Sequence, residues 1–162
     1  MRSRSILAGA VTLVLLGAAP PSASAIELTL FVSTGFPSES WRTGVGGDVT
    51  LTLLKLLAFS GELARQGSEL DNSMTSLTGS VLLVAPLRTF RLYGGVGVGG
   101  FRQGSGPALD SDLGVHRVLV VGVKKTFEGI LVLKAEYRRF NLSGDPPVLL
   151  EHRASVAAGL SF

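Results

Sequence analysis

The sequence predicts an all-β chain that closes into an eight-stranded antiparallel up-and-down transmembrane β-barrel. Three observations lead there. Apolar residues recur at every second position in eight separate stretches, which is how a strand with one greasy face reads. The connections between stretches alternate between tight and long. The face opposite the apolar one is built from Gly, Ser and Thr with scattered charges, and the chain holds 21 glycines. Glycine at that density would weaken a water-facing strand for no gain, whereas small residues suit the crowded interior of a narrow barrel.

The first 25 residues read as a secretory signal peptide: Arg2 and Arg4, an apolar run from Ile6 to Ala19, a Pro-Pro break and the triplet Ala23-Ser24-Ala25. The apolar run is shorter than the roughly 20 residues of a spanning helix, so cleavage after Ala25 is expected rather than anchoring. Residues 26–162 then form one domain. Arg2 and Arg4 account for two of the 15 cations, which leaves 13 against 12 acids and a net charge of +1. Such a balance gives no electrostatic case for nucleic acid. The chain has no cysteine, which excludes a disulfide scaffold and thiol chemistry.

The eight strands follow in order. In 26–36, Ile26, Leu28, Leu30 and Val32 alternate with Glu27, Thr29 and Ser33. In 43–53, Val45, Val49, Leu51 and Leu53 alternate with Gly44, Gly46, Asp48, Thr50 and Thr52. In 57–66, Leu57, Phe59 and Leu63 oppose Ala58, Ser60 and Glu62. Here Leu53, Leu54, Leu56 and Leu57 also have helical spacing, but Ser60, Gly61 and the flanking alternation favour a hairpin turning at 54–56. In 75–85, Leu77, Val81 and Leu83 oppose Ser76, Thr78 and Ser80, with Leu82 and Val84 blurring the pattern. Leu92, Val96 and Val98 face away from Tyr93, Gly95, Gly97 and Gly99 in 90–102. Leu119, Val121 and Val123 oppose Gly122 and Lys124 in 115–125. Leu131, Leu133, Ala135 and Tyr137 oppose Lys134, Glu136 and Arg138 in 130–142. The last strand, from about 150 to 162, sets Ala154, Val156, Ala158, Leu160 and Phe162 against Arg153, Ser155, Ala157 and Gly159.

Tight connections follow the second, fourth and sixth strands, and longer polar ones the first, third, fifth and seventh. Short turns at one end and long loops at the other are the habit of outer-membrane barrels, with the short turns and both termini in the periplasm. Aromatics near strand ends, namely Phe36, Trp41, Phe59, Phe90, Phe101, Phe127, Phe140 and Phe162, are expected to form interfacial girdles.

Together with the signal peptide and the eight alternating segments, "RLYGGVGVGG", "LKAEYRRF" and the terminal Phe162 make the chain resemble the OmpA/OmpX-like outer-membrane β-barrel domain over residues 26–162. The resemblance implies a bacterial outer-membrane protein, a monomer, in contact with membrane lipid and lipopolysaccharide. It also implies that Phe162 and Leu160 are the signal read by the outer-membrane insertion machinery. The usual signal has glycine five residues before the end, where this chain has Ala157, with glycine at Gly159 instead.

The charges on the inner face, Asp48, Glu62, Lys124, Glu136, Arg138 and Arg153, are expected to form a salt-bridged polar network that plugs the lumen, because unpaired charges in a dry space are costly. Gly95, Gly97 and Gly100 match the dinucleotide fingerprint, but "FRQGSGPALD" cannot supply the helix that would face a pyrophosphate. His116 and His152 lie on different strands without metal-ligand spacing and read as solvated histidines near the outer rim. Lipid A deacylases on this scaffold use a histidine with a serine two residues on. Here Val118 and Ala154 occupy that place. The sequence therefore points to a non-enzymatic envelope protein without cofactor, displaying loops for envelope structure or surface interaction. A lipid A-modifying enzyme and a soluble periplasmic ligand-binding barrel are the alternatives.

Overall fold

The computed structural model describes residues 23–36, 42–53, 55–67, 73–104, 111–143 and 151–162. Most of the expected signal peptide, Trp41 and the centres of the four long connections lie outside the described residues. Eight strands follow one another: β1 (Ala23–Phe36), β2 (Arg42–Leu53), β3 (Leu57–Gln66), β4 (Ser73–Pro86), β5 (Arg91–Gly104), β6 (Ser111–Phe127), β7 (Leu131–Ser143) and β8 (His152–Ser161). Each pairs antiparallel with its neighbours in sequence, and β8 pairs with β1 to close the barrel. At that seam the Ile26 and Phe162 amides each donate to the other's carbonyl, at 3.0 and 2.8 Å.

The tight turns fall where the alternation breaks. Leu56 N–H donates to Leu53 O at 3.3 Å across the first, with Lys55 at φ 62°. The hairpin reading of 53–66 holds, and there is no helix in this stretch among the described residues. Leu87 donates to Phe90 O in the second turn, and Ile130 to Phe127 O in the third, with Glu128 and Gly129 both at positive φ.

Register sets the shape. Starting at Leu92 and stepping through hydrogen-bonded partners, the path runs Val123, Ala135, Val156, Val32, Val45, Arg65, Thr75 and back to β5 at Arg102. One circuit therefore climbs from Leu92 to Arg102, a shear of ten residues. Ten rises of about 3.3 Å against eight strand spacings of about 4.8 Å tilt the strands by about 40° from the barrel axis. Each residue then climbs about 2.5 Å along the axis.

The two faces separate cleanly. Leu30, Leu83, Val96, Val98 and Leu119 are exposed on the outside, whereas Glu27, Thr50, Glu62, Thr78 and Arg138 are buried within. Leu82 and Val84, which blurred the fourth segment, point inward and join Ala58, Tyr93 and Val120 in an apolar patch of the lumen wall. Two aromatics correct the sequence reading. Phe101 and Phe140 were expected at the girdle but are buried inside, because their positions share the parity of Tyr93 and Arg138. Phe59, Phe90, Phe127 and Phe162 do face outward.

Candidate functional site

Inside the barrel, alternate positions of each strand bring charged side chains into a lumen too narrow to hydrate them separately. All six residues singled out from the sequence point inward and meet there. Lys124 Nζ donates to Glu27 at 2.7 Å, and Lys134 Nζ lies 2.9 Å from Asp48 and 3.7 Å from Glu27. Asp48 also accepts from the Thr29 hydroxyl and, at 2.8 Å, from Thr50. A second group centres on Glu62, whose carboxylate holds Arg153 at 2.6 Å and Arg138 at 2.9 Å. Arg138 continues to Glu136, which accepts from the Tyr93 hydroxyl at 2.9 Å. The Arg153 guanidinium lies over the rings of Phe31 and Phe140, 5.0 and 5.4 Å from their centroids.

Four acids thus meet four bases, and they occupy opposite walls. Glu27, Asp48 and Glu62 come from β1, β2 and β3, whereas Lys124, Lys134, Arg138 and Arg153 come from β6, β7 and β8. Only Glu136 of β7 breaks the division. Every pair that joins the two walls links strands that are not sheet neighbours. The space left beside Asp48, Tyr93, Lys134 and Arg138 is about 10 Å³, which is on the order of a single water.

Glu27 and Lys134 complete the network and were not in the sequence-derived set. Both were legible by parity, since Glu27 alternates with Leu28 and Leu30, and Lys134 with Leu133 and Ala135. His116 is a correction. It is not a solvated rim residue but is buried at 1% exposure, its ring 5.4 Å from Phe140 and its Nε2 2.8 Å from the Thr78 hydroxyl. The parity that places Lys124 inside places His116 there too. His152 stacks on Tyr137, whose hydroxyl lies 2.6 Å from Nδ1. Neither histidine has a serine hydroxyl among these hydrogen-bond partners.

The glycines of "GGVGVGG" take their packing role rather than a phosphate-binding one. A Cβ at Gly99 would lie 2.1 Å from Leu77 O and 2.7 Å from the His116 ring, and one at Gly97 would lie 2.4 Å from Ser80 Oγ. No group of three or more metal-ligating side chains is present among the described residues.

A closed, shear-ten sheet with a charged interior and an apolar exterior defines the eight-stranded up-and-down transmembrane β-barrels, and the chain has that fold. Comparison with solved structures agrees. The chain is similar to the N-terminal β-barrel domain of Pseudomonas aeruginosa OprF, with TM-score 0.67 and 15% identity over 86% of this chain and 98% of that one. Neisserial surface protein A (NspA) gives TM-score 0.65 at 13% identity, covering 85% and 94% of the two chains. Ail, the attachment invasion locus protein of Yersinia pestis, gives 0.56 at 15%, covering 85% and 98%. These are OmpA/OmpX-like barrels, so the resemblance read from the sequence holds at the level of the fold. No protein-family model matches the sequence, and no curated protein matches it.

Proposed function

We propose that this chain is an integral protein of the bacterial outer membrane, without enzymatic activity, exported by residues 1–25 and inserted with its long loops outward. Its lumen is plugged, and its loops serve envelope structure or surface interaction. The observation that carries this reading is the outward face. All eight strands present apolar side chains there, including Leu28, Val49, Leu63, Leu77, Val96, Val121, Leu133 and Val156. An exposed apolar surface of that extent is untenable in water and is what lipid requires. Cell fractionation tests it: folded barrel is expected in the outer-membrane fraction, and recovery from soluble periplasm would overturn the reading.

The paired interior argues against a soluble ligand-binding barrel, which would keep an apolar cavity. It also sets an expectation for transport. With acids and bases joined across the lumen, the protein in planar bilayers is expected to show no large, steady open state. Porin-like conductance would mean that the pairs do not block the path.

Lipid A modification is the other activity considered. His116 is buried in the lumen among Thr78, Phe101 and Phe140, away from membrane lipid, and His152 is engaged by Tyr137, so neither histidine is hydrogen-bonded to a serine at the rim. Overproduction of the protein is expected to leave the lipid A mass spectrum unchanged. An altered acyl pattern that vanishes in His116→Ala or His152→Ala would establish an enzyme.

A further inference from the structure

The outward strand positions carry very few charges, and those they carry are not scattered. Arg65, Arg102, Arg117 and Arg139 face outward near the long-loop end, and Lys125 faces outward near the short-turn end, 4.8 Å from the Phe127 ring centroid. No acid occupies a described outward position of any strand. From the shear and tilt, Arg65, Arg117 and Arg139 lie within about 3 Å of one level, although they stand on three different strands. Arg102 stands about 7 Å above them, and Lys125 about 20 Å below. The arginines therefore mark the upper edge of an apolar band close to the roughly 25 Å expected of such barrels.

Arg117 and Arg139 are diagonal neighbours, since Arg117 pairs with Asn141 and Arg139 with Leu119. Both are exposed, and neither has a carboxylate partner among the described residues. Glu151 shares a pocket lining with both, and its carboxylate lies 3.8 Å from His152. Below the two arginines an open trough of about 1120 Å³ runs across the outer wall, lined by Phe59, Gly79, Val96 and Val98. Gly79 in that lining has no internal need to be glycine. A Cβ there would meet only Val98 O, at 4.0 Å. Inward glycines such as Gly99 are enforced by neighbours; Gly79 is not. It leaves a groove in the lipid-facing wall whose lining also includes Arg117 and Arg139.

We infer that this trough and the Arg117–Arg139 pair form a binding site for a phosphorylated, multiply acylated glycolipid of the lipid A class. The two guanidiniums take a sugar phosphate by charge-assisted, bidentate hydrogen bonds, and a saturated acyl chain lies over Gly79 between Val96 and Val98. The match of charge to level selects this occupant: a cationic rim above an apolar groove fits a lipid whose phosphates sit at the outer edge of the hydrocarbon. The inference rests on the outer-membrane orientation proposed above.

Native mass spectrometry of the folded protein in detergent tests it, with hexa-acyl diphosphoryl lipid A, its dephosphorylated form and phosphatidylglycerol as probes. The protein is expected to retain one diphosphoryl lipid A and to prefer it to both other probes. Arg117→Gln combined with Arg139→Gln should weaken that binding about tenfold or more, while Lys125→Gln leaves it unchanged. Gly79→Leu, which fills the trough without a steric conflict, should also weaken it. Equal retention by the wild type and the double variant would overturn the site, as would equal retention of phosphatidylglycerol. Heat-modifiability of each variant confirms that it is folded. Fractionation reads the orientation separately, so a barrel found in the outer membrane but indifferent to lipid A sinks the site alone.

Discussion

Replacing Glu62 with alanine is expected to destabilise the folded barrel by about 3–5 kcal/mol, the range for stranding a buried charge by removing its partner. Glu62 is only 2% exposed and is the single carboxylate shared by Arg138 and Arg153. Without it, Arg138 keeps Glu136, but Arg153 is left with the faces of Phe31 and Phe140. A urea titration followed by circular dichroism in detergent measures the loss. Adding Arg153→Met to Glu62→Ala should recover part of it, because the orphaned charge is removed and the aromatic contacts keep an apolar stem. An unchanged midpoint in Glu62→Ala would mean that water, not Glu62, carries the two arginines.

Gly159→Val is expected to be comparably damaging, for a steric reason. A Cβ at this position would lie 2.0 Å from Leu28 O and 2.6 Å from Thr29 Cα. Those are backbone atoms of the strand that closes the barrel, so relief requires β1 and β8 to part. The loss should reach the upper end of the overpacking range, about 3 kcal/mol, and reduce the yield of heat-modifiable protein. Gly61→Val is the control, since nothing crowds that position. Equal folding of the two variants would show that the seam tolerates a side chain.

The contrast between these glycines indicates how much the sequence could disclose. A period of two identifies strand faces, and it located all eight strands, the three tight turns and the inward charges. The same parity already placed His116, Phe101 and Phe140 inside. Nearness to a strand end favours the rim for all three, but in a closed barrel parity decides the face. What alternation cannot encode is shear. Partners such as Glu27 and Lys124, or Glu62 and Arg153, stand on strands that do not touch, and which level of one wall faces which level of the other depends on the whole circuit. The Arg65, Arg117 and Arg139 level was hidden for the same reason.

The cross-lumen pairs have a consequence for error during assembly. A one-residue slip of a strand is self-reporting, because it turns the apolar face to the lumen. A two-residue slip is silent to lipid: every greasy residue still faces out, and the sheet can still close. The ion pairs are what detect it. Sliding β1 by two residues moves Glu27 about 6.6 Å along its axis, away from Lys124 and past the reach of a hydrogen bond. The charged interior thus works as a key cut to one depth, rejecting misthreaded barrels that the membrane itself would accept. A barrel carrying Glu27→Gln with Lys124→Gln should then yield cysteine cross-links at slipped β1–β8 positions as well as at the native Leu28–Leu160 pair, whereas the wild type yields the native link alone.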